Sequence, residues 1–88
     1  MILKRGDSFE RDYIRLPEQV QVLVEKAIRL LAENPRHPSL HIKKMKGTKD
    51  IWEGRVTRSY RFTFNWEGDV ITFRRVGTHH ILNTEGRT

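Results

Sequence analysis

The residues of this chain that can move protons or hold anions are concentrated in its second half. IWEGRVTRSYRFTF carries Glu53, Arg55 and Arg61, and FRRVGTHHIL ends a strand and turns into His79 and His80. HIKKMKGTK, residues 41–49, adds Lys43, Lys44, Lys46 and Lys49. Histidine gives or takes a proton near neutral pH. The donors of arginine match phosphate oxygens in pairs. These types fit phosphoester cleavage without a metal. In RNA the 2′-OH lies beside the scissile phosphate. The reaction needs a base, a proton donor for the 5′-oxygen, and fixed cations for the phosphorane. Lys43, Lys44, Lys46 and Lys49 suit flanking phosphates, and Tyr60, Trp52 and Trp66 offer rings for bases, although a core position suits each of the three better.

Other chemistries lack their signatures. Adjacent histidines point two ways, no HExxH motif is present, and no paired aspartates suit Mg²⁺. No nucleophile elbow surrounds Ser8, Ser39 or Ser59, and there is no Walker-type phosphate loop. Taken singly, each candidate has an ordinary reading: a strand arginine is solubilising or salt-bridged, Glu53 pairs with Arg55 or Arg61, and a histidine pair decorates a surface loop. Only their joint arrangement suggests a site.

Charge is distributed as unevenly as the candidates. Residues 1–35 hold six Lys/Arg and six Asp/Glu, while residues 36–88 hold eleven and five, so the whole +6 belongs to the second part. A basic half favours a polyanion, an acidic protein partner, or both. Eighty-eight residues suit one small domain. Without cysteine there is no disulfide or thiolate metal site. MILKRGDSF has no long apolar run, so neither a signal peptide nor a membrane span is expected, and the cytoplasm is the expected location.

Positioning the candidates requires a sheet. Met1–Lys4 suits an edge strand. Asp7 or Ser8 can cap a helix over Phe9–Leu16, and Pro17 suits the first turn of a second helix running to Glu33. Val20, Leu23, Val24, Ala27, Ile28 and Leu31 form its apolar stripe, and Asn34-Pro35 ends it. Strands are predicted over Leu40–Met45, Ile51–Thr57, Tyr60–Trp66 and Val70–Val76, with a hairpin turn at Glu67-Gly68-Asp69 and a polar tail from Asn83. The expected fold is α+β: an N-terminal αα-hairpin on one face of a twisted, mainly antiparallel sheet of four to five strands. Tyr60, Phe62, Phe64 and Trp66 alternate towards the helices. Arg61 then shares a free face with Glu53 and Arg55, so its removal should change stability little.

HPSLHIKKMKG, IWEGRVTRSYRFTF and VGTHHIL, in this order and spacing, resemble the bacterial and archaeal RelE/ParE superfamily of toxins from type II toxin–antitoxin modules, most of all its YafQ-like and YoeB-like ribonucleases. The resemblance runs from the helical pair to Leu82. It implies the same helix-on-sheet fold, cleavage of messenger RNA in the ribosomal A site, no cofactor, and a cognate antitoxin that wraps the toxin. A homodimer or a toxin–antitoxin heterotetramer are the candidate assemblies. Arg61 matches the arginine that contacts the scissile phosphate, and His79 matches the histidine of the YafQ-like GTH segment. Lys43, Lys44 and Lys46 resemble the basic RNA-gripping segment, to which Lys49, Tyr60 and His80 are added as RNA contacts. Arg55 stands where the YafQ-like pattern has a second histidine, and Ser59 where it has an aspartate. His80 stands where an acidic residue is frequent. Glu53 is then the carboxylate candidate for part of the proton chemistry, with Arg55 beside it. The ParE-like branch, which poisons DNA gyrase on the same fold, is the alternative. A decayed member that only binds its antitoxin is a third reading.

Overall fold

A computed structural model describes residues 1–85, apart from the side chain of Thr84. The chain runs β1 (Ile2–Arg5), α1 (Asp7–Ile14), α2 (Glu18–Glu33), a 3-10 turn (Pro38–Leu40), β2 (Lys43–Lys44), β3 (Ile51–Arg55), β4 (Tyr60–Glu67), β5 (Val70–Thr78) and α3 (His80–Glu85). The strands form one sheet in the order β1-β5-β4-β3-β2. All pairs are antiparallel except β1 with β5. The chain can enter β1 parallel to β5 because the helical hairpin and three strands intervene, leaving ample length for a crossover.

Alternation along β4 turns Phe62 and Phe64 towards the helices, where they meet Phe9 and Phe73. All four are fully buried. Removing each such ring from water contributes about 1.5–3 kcal/mol. Val20, Val24, Ala27, Ile28 and Leu31 of α2 close this layer. Leu23, expected in the stripe, is 39% exposed. Gly6, not Asp7 or Ser8, occupies the N-cap of α1, and Pro17 caps α2.

β5 carries a bulge. Thr63 pairs with Arg75 but Phe64 pairs with Phe73, so Arg74 is the extra residue. The bulge resets the alternation, which lets both Phe73 and Val76 face the core. It also splits the two arginines. Arg75 reaches Asp12 of α1, which accepts from Nε at 2.7 Å and from the Val76 N–H at 3.1 Å. Arg74 donates to Glu85 of α3 at 2.6 Å and to Asn65 at 3.0 Å.

Two expectations change here. The second sheet face is not free: α3 lies against β4 and β5 there, burying Ile81 and Glu85. Asn83–Glu85 of the expected tail belong to α3, and the rest of that tail, residues 86–88, lies outside the described residues. The strand expected over Leu40–Met45 shrinks to Lys43–Lys44, because the 3-10 turn takes Leu40 into the core and His41 leaves it in a left-handed conformation (φ 47°).

Candidate functional site

The cleft that gathers most of the candidates follows from strand register. Glu53 and Arg55 leave β3 on the face opposite Trp52, and Arg61 is the direct partner of Arg55 on β4. Lys43 is paired with Glu53 across β2 and β3 and approaches its carboxylate at 3.9 Å. The turn after β5 supplies His79, and the turn before β2 supplies His41. His41, Lys43, Glu53, Arg55, Arg61 and His79 thus line one cavity of about 550 Å³, with Ile42, Gly54 and Leu82 as its apolar walls.

Gly54 is required by packing on the opposite side of the strand. A Cβ there would overlap the Phe62 ring and Ile42 Cδ1. With no side chain, β3 lies close enough to the core for Ile42 to tuck in and carry His41 with it.

Arg61 is not the exposed residue that its alternation suggests. It is 9% exposed, and its Nη1 donates to the carbonyls of Thr57 (2.7 Å), Arg58 (3.0 Å) and Tyr60 (3.2 Å). One edge of the guanidinium therefore folds the β3–β4 loop. Nε and Nη2 make no hydrogen bond among the described residues. Burial and the neighbouring Arg55 push its pKa down, and Glu53 opposes them. The group still carries its charge at neutral pH.

Arg55 and Arg61 put two like charges directly opposite each other, which destabilises an antiparallel pair. Arg55 Nε is buried without a hydrogen-bond partner. Its Nη1 faces His41 Nε2 at 3.4 Å. Two like charges in one concave site suit an anion with several acceptor oxygens.

His41 is not singled out by its place in the lysine-rich run. A run of basic residues says nothing of which side chain turns inward, and only the 3-10 turn and the positive φ show it. Non-glycine residues seldom adopt that conformation, and strained backbone concentrates at functional sites.

Seven other candidates do not line the cleft. Tyr60, Trp52 and Trp66 pack on the core. Lys44 pairs with Trp52 and so faces the other side of the sheet. Lys46 and Lys49 stand exposed in the β2–β3 loop, and His80 is exposed at the start of α3. Among the described residues no group of three or more His, Cys, Asp or Glu is placed to hold a metal ion. No helix among them is long and apolar enough to cross a membrane.

No family model and no curated protein matches the sequence. Solved structures match the fold. A YoeB/ParE toxin from Agrobacterium tumefaciens is similar with a TM-score of 0.76 and 21% identity, over 90% of this chain and 99% of that one. A chain of the RelB-RelE antitoxin-toxin complex from Methanococcus jannaschii gives 0.73 and 24%, over 93% and 96%. YafQ from E. coli strain BL21(DE3) gives 0.75 and 16%, over 91% and 94%. A helical hairpin on a mixed five-stranded sheet, matched along nine-tenths of its length, gives this chain the RelE/ParE-type toxin fold.

Proposed function

We propose that this chain is the toxin of a type II toxin–antitoxin module and an endoribonuclease that cleaves messenger RNA, on the ribosome and in the cytoplasm. The observation that carries the reading is the Arg55–Arg61 pair, two guanidiniums directly opposite each other across β3 and β4 and walled by His41 and His79. The scissile phosphate sits on the free edges of Arg55 and Arg61. The 2′-oxygen forms a bond to phosphorus as the bond to the 5′-oxygen breaks. A base in the cleft takes the 2′-OH proton and an acid protonates the 5′-oxygen, leaving a 2′,3′-cyclic phosphate and a 5′-hydroxyl. His41, His79 and Glu53 are the groups placed for these two transfers. No step requires a metal, so the activity should survive chelation. Lys43 follows a neighbouring phosphate.

The similar structures include an antitoxin-toxin complex, and the basic half of this chain suits an antitoxin that presents an acidic segment. Primer extension on cellular mRNA after induction tests the proposal. Discrete cuts related to codons, absent with His79→Ala, are expected. Intact mRNA accompanied by gyrase-linked DNA breaks would overturn the nuclease reading and favour a ParE-like poison.

A further inference from the structure

A second cavity, of about 540 Å³, lies on the other face of β3 and shares two walls with the cleft, His41 and Ile42. Its remaining walls include Trp52, Trp66, Arg36 and His37. Trp52 and Trp66 meet edge to face with centroids 5.4 Å apart, so they cannot cover both faces of each other's rings. Both are only partly buried although they adjoin the core. The Trp66 indole N–H donates to the Gly68 carbonyl at 3.2 Å, which fixes the ring's orientation. His37 is held by Ser39, whose hydroxyl lies 2.8 Å from Nδ1. The pocket is therefore preformed, with flat apolar walls and a polar rim.

We infer that this Trp52–Trp66 pocket receives a nucleobase of the same RNA strand whose phosphate lies on Arg55 and Arg61. The inference rests on the reading of the cleft as an RNA site. Three features lead to a base. The two cavities meet at His41 and Ile42, so one short strand can pass from one to the other. The sheet edge between them, β2, is only two residues long, and its lysines divide: Lys43 faces Glu53 in the cleft and Lys44 shares the face of Trp52. A polyanion rounding that edge meets a cation on each side. Finally, every base offers a π-face to an aromatic wall while Arg36 and His41 meet its polar edge.

The chain has two tryptophans and both line this pocket, so intrinsic emission reports its occupancy directly. The probe is a six-nucleotide RNA, 2′-O-methylated throughout to block cleavage and labelled with fluorescein. Anisotropy measures binding to the full chain while tryptophan emission is followed in the same titration. Both signals should saturate together. In a scan of single abasic positions, one position should abolish the emission change and weaken binding about tenfold, as expected for a lost stack. Binding with unchanged emission overturns the pocket assignment while leaving the cleft intact, and gives the pocket to another occupant such as a partner protein's side chain. Equal effects at all abasic positions overturn it likewise. No binding by anisotropy removes the cleft reading itself, and the inference with it.

Discussion

Arg55 and Arg61 look interchangeable in sequence, but the structure separates what each does for the fold. Arg61 holds three carbonyls, two of them in the β3–β4 loop, so Arg61→Ala should abolish cleavage and also destabilise the protein by about 1.5–3 kcal/mol, the range for hydrogen bonds to a charged group. Arg55 contributes repulsion and an unpaired buried donor, so Arg55→Gln should abolish cleavage and leave stability unchanged or up to about 1 kcal/mol higher. Thermal melting beside a cleavage assay checks both, and equal melting temperatures for the two variants would contradict the account. The histidines divide by position. His41→Ala and His79→Ala should each slow single-turnover cleavage by about 10² or more, as expected for proton-transfer groups. His80, outside the cleft, should tolerate alanine. A variant series in which His80→Ala is the slowest would remove His79 from its role.

At the scale of elements, stability depends on a few junctions between sequence-distant segments. Arg5 of β1 forks onto Glu25 of α2 at 2.6 and 3.0 Å, and its guanidinium lies over the Phe9 and Tyr13 rings. The Arg5 hydrogen bonds hold the Glu25 carboxyl below the usual carboxylate range. A depressed pKa contributes stability above the unfolded value and loses it as pH falls through the folded one. Melting temperature should therefore fall on acidification below the ordinary carboxylate range, and Glu25→Gln should flatten part of that fall. An unchanged profile would show that the clasp contributes nothing. Gly54→Ala should cost about 1–3 kcal/mol through overpacking against Phe62 and should also disturb His41, which a melt paired with a cleavage assay would reveal. These junctions also mark what the sequence could show. The strict alternation of Tyr60–Trp66 and the 3–4 spacing in α2 reveal strand and helix, because burial on one face imposes a period. The bulge at Arg74 is invisible, since it depends on register with another strand. α3 is hidden because six residues with Ile81 and Leu82 make no periodic signal. The grouping of Glu53, Arg55 and Arg61 follows from alternation and the choice of His79 from the family resemblance, whereas His41 depends on a left-handed residue no pattern announces.

Across the whole molecule, the +6 charge and its confinement to residues 36–88 give a polyanion a broad attractive field. In the proposed function the cleft positions an RNA strand within it. Because Lys43 and Lys44 face opposite sides of β2, Lys43→Glu should impair cleavage more than Lys44→Glu, even if each lowers the salt slope of binding by about 0.7, one phosphate contact on a single strand. Unchanged salt slopes would make both lysines ordinary solvated surface. The same charges should steer an acidic antitoxin, so each reversal should slow its association in stopped flow. In the proposed reaction the strand cleaves itself through its own 2′-OH while Arg55 and Arg61 hold the phosphate. An mRNA carrying a single 2′-deoxy substitution at the mapped cut, translated in an extract containing the purified protein, tests this most directly. This transcript should stay intact while the unmodified one yields a 5′-hydroxyl end and a 2′,3′-cyclic phosphate. Undiminished cleavage at the deoxy position, or 5′-phosphate ends from the unmodified transcript, would contradict it.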